Sequence, residues 1–285
     1  MPLNEQLAQF ALERAVTPHG LVRFRSARTP GFEGAVTHVL LHGIGSASAS
    51  WLAQLVQARQ DTAPPCHVLA WDAPGYGGSD PLPMETPTAR DYAQRVWAWL
   101  DAVEVDTRAP LTLVGHSLGA LMAARAVLLA PARVSRLVLL APAQGYATAA
   151  AAVREQKLSE RLTNLAQLGP AGMARKRAGA MLSPAAGSEQ VAFVEHVMAG
   201  IVPHGYSQAA RMLAGGDVLA DLAQVHCPVT IASGSADTVT PVAGCRSLAQ
   251  AVAAPYVTLG EVGHSCALEA GALVNRLIGI GGAAP

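Results

Sequence analysis

The chain has 285 residues, 51 % of them hydrophobic and only 14 % charged, which supports a large buried core and excludes a disordered chain. Twenty basic residues balance twenty acidic ones, so bulk charge offers no reason to expect nucleic acid or an anionic membrane as partner. The expected partner is a small-molecule substrate, and the sequence leaves homo-oligomerisation open. Cys66, Cys227, Cys245 and Cys266 are scattered without CxxC or metal-ligand spacing, which predicts free thiols, no metal and no other cofactor. The segment 1–7 lacks a basic region followed by an apolar run, and no stretch of about twenty uninterrupted apolar residues occurs. A cytoplasmic location is the expectation.

In chain order, Leu3, Leu7, Phe10 and Ala11 stand at helical spacing and predict a short amphipathic helix over 3–15. Residues 21–25 alternate apolar and basic, as in an exposed edge strand. Short apolar runs at 38–41, 67–71, 111–115, 136–142, 228–234 and 255–260 predict buried strands. Thr88 is placed to cap a helix whose Tyr92, Val96, Trp99, Leu100 and Val103 form one stripe. Residues 118–130 are almost wholly apolar, and Pro131 ends that helix. Short apolar strands alternating with helices predict an α/β fold with a mostly parallel sheet covered on both faces, and ligands at the carboxyl ends of the strands.

One stretch breaks the alternation. Between about 143 and 216 the sequence is Ala-rich and helical, divided by glycine and proline near 147–168, 170–182, 188–199 and 204–214. Its position inside the strand–helix series predicts a helical cap, or lid, on a core formed by 1–142 and 217–285. Met173, Met181, Val197 and Met212 are expected to face the pocket. Arg175, Lys176 and Arg177 read as solvated helix surface.

The chemistry centres on Gly115-His116-Ser117-Leu118-Gly119, a Gly-x-Ser-x-Gly sequence between a predicted strand and a predicted helix. Ser117 would occupy a sharp, strained turn that projects its oxygen above the sheet, and the two glycines remove the bulk that would keep strand and helix apart. The Leu118 N–H would then point at a developing oxyanion from the positive end of the helix. A serine hydroxyl needs a base. His264 directly follows the last predicted strand and so sits at the active edge, whereas His116 should point away from its neighbour Ser117. Asp237, after the preceding strand, is placed to orient the imidazole, in the chain order Ser, Asp, His. Asp72, in a tight Asp-x-Pro-Gly-x-Gly turn, is the rival carboxylate with a structural role expected. Cys266, two residues after His264, marks where a thiol reagent would crowd the base.

Five motifs in order, His42-Gly-Ile-Gly45 with Trp51, 72–79, 115–119, 234–241 and 263–269, make the chain similar to the α/β-hydrolase superfamily from about Leu21 to Leu277. That resemblance implies Ile44 N–H as a second oxyanion donor and Glu269 as the family's acidic residue after the histidine. Here Ala270-Gly271 replaces the x-Pro that often follows it. Haloalkane dehalogenases and epoxide hydrolases on this fold carry a carboxylate nucleophile, which Ser117 excludes. The chain resembles small-molecule ester and lactone hydrolases such as enol-lactonases, with 204–221 similar to the end of their cap. The rival is the carbon–carbon hydrolases, which commonly have tryptophan after the catalytic histidine where this chain has Ser265. Thioesterase or acyltransferase activity, and a non-catalytic ligand receptor, are the further alternatives.

Overall fold

The computed structural model describes residues 1–61, 64–103 and 109–280. Its strands are β1 (Glu13–Thr17), β2 (Gly20–Arg28), β3 (His38–Leu41), β4 (His67–Trp71), β5 (Leu111–His116), β6 (Val134–Leu140), β7 (Val229–Ser233) and β8 (Tyr256–Thr258). They form one sheet in the order β1-β2-β4-β3-β5-β6-β7-β8. Pairing is parallel from β4 through β8, while β2 runs antiparallel to both β1 and β4. Every residue of β3 is buried, as expected of a central strand covered on both faces.

The helices are α1 (Leu3–Leu7), α2 (Leu52–Ala58), α3 (Ala89–Ala102), α4 (Gly119–Leu129), α5 (Ala151–Arg177), α6 (Ser188–Ala199), α7 (Pro203–Gly215), α8 (Val218–Leu222), α9 (Val242–Ala251), α10 (Cys266–Glu269) and α11 (Gly271–Ile278). Thr88 starts α3 by donating its N–H to the Asp91 carboxylate at 2.7 Å, and the helix buries Tyr92, Val96, Trp99 and Leu100. Trp71 and Trp99 stack at 6.1 Å beneath it, both fully buried. At ~25 cal/mol per Å² and ~200 Å² each, such rings contribute several kcal/mol of burial apiece. The four cysteines are unbonded. Among the described residues no helix is long and apolar enough to cross a membrane.

Two expectations near the N-terminus are corrected. The helix predicted over 3–15 ends at Leu7, and Glu13–Thr17 is a strand. Hairpin pairing decides it, since residues 13–17 lie in register against 20–24 across a tight turn. In that turn Thr17 Oγ1 donates to Gly20 O and accepts from His19 N–H. A ladder of cross-strand bonds outweighs a weak helical pattern. In consequence β2 is flanked on both sides, so β1, not β2, is the edge.

Between β6 and β7 the chain leaves the sheet for α5, α6 and α7. The two stems of this excursion are tied together, Ala147 N–H donating to Gly216 O and Val218 N–H to Gln144 O, both at 3.0 Å. The expected division between the first two helical stretches is a kink, where Gly169 takes φ 61° and Pro170 follows. The excursion returns to the core at a seam of bare backbone. A Cβ on Gly75 would come within 2.4 Å of the Gly205 Cα, and one on Gly205 within 2.2 Å of the Gly75 oxygen.

Candidate active site

The turn from β5 into α4 places Ser117 at φ 52°, a conformation that strains an L-residue. Backbone bonds hold it there: Ser117 N–H donates to Leu140 O at 2.9 Å, and its carbonyl accepts from Ala120 and Ala143 at 3.0 Å. Three glycines make the packing feasible. A Cβ on Gly115 would lie 2.5 Å from Gly119 O, one on Gly119 would lie 2.2 Å from Leu41 O, and one on Gly43 would lie 2.8 Å from the Ser117 Cβ. Gly43 therefore presses the loop bearing Ile44 against the serine. Among the described residues neither Ile44 N–H nor Leu118 N–H donates a hydrogen bond, so both donors are free for an oxyanion.

On loops after β7 and β8, Asp237 and His264 meet. His264 Nδ1–H donates to Asp237 Oδ2 at 2.9 Å, which leaves Nε2 as a proton acceptor. Asp237 also accepts from Thr240 Oγ1 at 2.8 Å, Val239 N–H at 2.8 Å and Thr240 N–H at 3.0 Å. Burial alone would raise its pKa, but the hydrogen bond and charge of His264, with the Thr240 donors, hold it below the usual carboxylate range. Ser117 and His264 line one cavity of about 230 Å³. No hydrogen bond joins them among the described residues.

His116 does point away from Ser117, and it acquires a task that sequence spacing does not reveal. Its Nε2–H donates to the His264 carbonyl at 2.8 Å, with the two rings 4.8 Å apart. Burial, and next the neighbouring His264, push its pKa down to about 3, so it stays neutral. Asp72 is remote from this pair: its Oδ1 accepts from Ser48 N–H at 2.6 Å and its carbonyl from Ser79 Oγ at 2.7 Å. His42 accepts from Ala73 N–H at 3.0 Å and closes on its own loop through Gly43 O. Both brace loops. Cys266 is fully buried, and burial pushes its thiol far above the usual range, which removes it as a point of attack. Among the described residues no group of three or more His, Cys, Asp or Glu side chains comes together as a metal site.

The model of the Alpha/beta hydrolase family matches residues 39–277. The chain belongs to that family. The RutD protein of Enterobacter cloacae subsp. cloacae, whose name proposes a carbamate hydrolase, is 29 % identical over 269 residues, covering 89 % of this chain and 93 % of its own. A 2-hydroxy-6-oxononadienedioate/2-hydroxy-6-oxononatrienedioate hydrolase of Dechloromonas aromatica is 29 % identical over 112 residues, 39 % of this chain and 38 % of its own. Among solved structures, the enol-lactonase of Burkholderia xenovorans LB400 superposes with a TM-score of 0.79 at 19 % identity, over 93 % of this chain and 98 % of its own.

In this α/β hydrolase the helical excursion supplies the far side of the cavity. Met173 and Met181 line it, and Val197 lines a smaller apolar chamber behind His264 with Trp51 and Phe193. Met212 is corrected: it is 1 % exposed and packs into the main core, while Leu213 faces the cavity. Of the basic cluster, Arg175 and Lys176 are exposed as expected, but Arg177 is half-buried in the cavity wall. Arg161, Met198 and Tyr206 also line it, and helical periodicity carried no signal for them because three helices that pack on the core and on one another each bury more than one face.

Proposed function

We propose that this protein is a serine hydrolase cleaving a compact carboxylic ester or lactone through an acyl-enzyme on Ser117. The observation that carries the reading is the strained Ser117 turn facing the same cavity as His264, whose Nδ1 is held by Asp237 at 2.9 Å. Ser117 Oγ attacks the carbonyl carbon while its proton passes to His264 Nε2. The oxyanion rests on the Ile44 and Leu118 N–H groups, and Asp237 stabilises the imidazolium. Collapse breaks the carbonyl carbon's bond to the leaving oxygen, which takes the proton from His264. Water then repeats the sequence, with His264 taking its proton, and frees the acid and Ser117. The excursion 143–216 serves as the cap that roofs the pocket and sets substrate size.

The likeness to RutD supports a second substrate, a carbamate, because the same attack on a carbonyl bonded to nitrogen needs no change of machinery. A nitrophenyl ester series from acetyl to palmitoyl tests the main reading. Wild type should show highest kcat/KM between two and six carbons, since a roofed pocket rejects each extra methylene at about 1 kcal/mol. Ser117→Ala and His264→Ala should each lose on the order of 10³-fold or more in kcat. Unchanged hydrolysis by Ser117→Ala sinks the acyl-enzyme, and an optimum at twelve carbons or beyond replaces the small pocket with a lipid channel.

A further inference from the structure

The lining of the cavity holding Ser117 and His264 carries positive charge, apart from the buried Asp237 carboxylate that His264 covers. Its lining includes two half-buried arginines, Arg161 and Arg177, and no carboxylate. Outward it runs into a groove of about 400 Å³ that shares both arginines and adds Lys176, again with no carboxylate in its lining. Among the described residues neither guanidinium has an ion-pair partner.

Arg161 is held in place without being neutralised. It donates to Lys157 O at 2.9 Å and to Tyr146 Oη at 3.4 Å, and its guanidinium lies 5.5 Å from the centre of the Tyr146 ring. Its Nε is buried and makes no hydrogen bond. The neighbouring Glu160 is exposed to solvent, is engaged by Gln156 at 2.9 Å and Lys157 at 3.4 Å, and feels the charge of Arg161 more weakly than either. Burial raises the pKa of the Tyr206 hydroxyl, and the fields of Arg177 and Arg161 offset part of that rise, which places all three groups around one space.

Partly desolvated cations without partners are costly, and an incoming anion relieves that cost. The planar guanidinium fork matches a carboxylate, donating two parallel N–H bonds to its two oxygens. With net charge zero over the chain, this is a local arrangement and not a by-product of a basic protein. We infer that Arg161 and Arg177 form an anion-recognition wall, and that the preferred substrate is a compact ester or lactone bearing a carboxylate distal to the scissile carbonyl. The inference rests on the hydrolytic reading for its substrate but not for its binding site.

The test compares mono-p-nitrophenyl glutarate with p-nitrophenyl pentanoate, acyl groups of equal length in which carboxylate replaces methyl. Wild type should favour the glutarate ester by about tenfold or more in kcat/KM, and added salt should shrink that preference. Arg161→Gln and Arg177→Gln should each lower the ratio of anionic to neutral kcat/KM by about tenfold, mainly through KM. Arg175→Gln, on the same helix but outside the cavity lining, should leave the ratio unchanged. A wild-type ratio near one, or a ratio indifferent to both cavity arginines, overturns the wall. Calorimetry of free glutarate with Ser117→Ala reads the site without turnover, and its loss on adding Arg177→Gln supports the wall. If neither ester is cleaved but glutarate binds through the arginines, hydrolysis falls and the wall stands. If pentanoate is cleaved without preference and glutarate does not bind, the reverse holds.

Discussion

On the sheet side of the cavity, Ser117, Asp237 and His264 sit on turns fixed by backbone hydrogen bonds and close glycine contacts. On the helical side, Met173, Arg177, Met181 and Met198 reach inward on long unbranched side chains. The first arrangement ties its side chains to rigid backbone, the kind of hold that bond-making requires. The second fills space with side chains that repack at small cost, as suits a surface that defines what enters. On the proposed reading, chemistry and selectivity are thus lodged in different parts of the molecule, and Glu269 joins them. Its carboxylate accepts from Gly263 N–H at 2.8 Å beside His264, and from the N–H and hydroxyl of Ser183 in the excursion.

The sharpest break should come from Asp237→Asn, whose amide favours the wrong imidazole tautomer, with kcat expected to fall on the order of 10⁴-fold. Asp72→Asn should instead lower the melting temperature while kcat falls by less than about tenfold, because Asp72 braces a loop. Steady-state kinetics and thermal melts on both variants decide, and the reverse pattern would transfer the acid's role to Asp72.

Cutting the joint should have an intermediate effect. Glu269→Ala leaves the donors of Gly263 and Ser183 unpaired and should cost about 2–3 kcal/mol in urea unfolding. It should also lower kcat for every ester by a similar factor, since it loosens His264 and not the pocket wall. A change in chain-length preference with kcat intact would place Glu269 on the selectivity side.

The smallest effect separates the two sides by acid. His116 stays neutral in the fold down to about pH 3, whereas unfolded histidine takes up a proton near pH 6.5. Between those values the unfolded chain binds more protons, so this stability is fully present above about pH 6.5 and drains as pH falls towards 3. His38, His42 and His67 are shifted downward as well, each chiefly by burial, and all four lie on or beside β3, β4 and β5. Melting temperature should decline from pH 7 to pH 5, and His116→Asn should remove part of that slope. An equal slope in the variant would show that His116 titrates alike in both states.

How much was legible follows the same division. The parallel strands could be read because four to seven apolar residues between turns leave a buried strand few alternatives. The nearness of Asp237 and His264 could be read because both follow neighbouring strands at the same edge. What failed depended on pairing and packing that the segment's own pattern does not reveal. The strand Glu13–Thr17 exists only because 20–24 pairs with it, and Met212 turns into the main core while its neighbour Leu213 faces the cavity. Arg177 looked like its solvated neighbours because a run of three charges does not say which one turns inward.

The seam between Gly75 and Gly205 has a consequence for how such a protein can change over generations. A methyl group on either residue meets the other's main chain at 2.4 or 2.2 Å, nearer than atoms approach without a backbone shift. Gly75 also holds φ +78°, so even a vacated neighbour would not free it for ordinary residues. No pair of compensating replacements restores the fit, because what is needed on both sides is the absence of a side chain. Drift is closed at these two sites while the methionines across the cavity remain open to exchange. A lineage can therefore revise the cavity wall many times over without once revising where the helical excursion is seated.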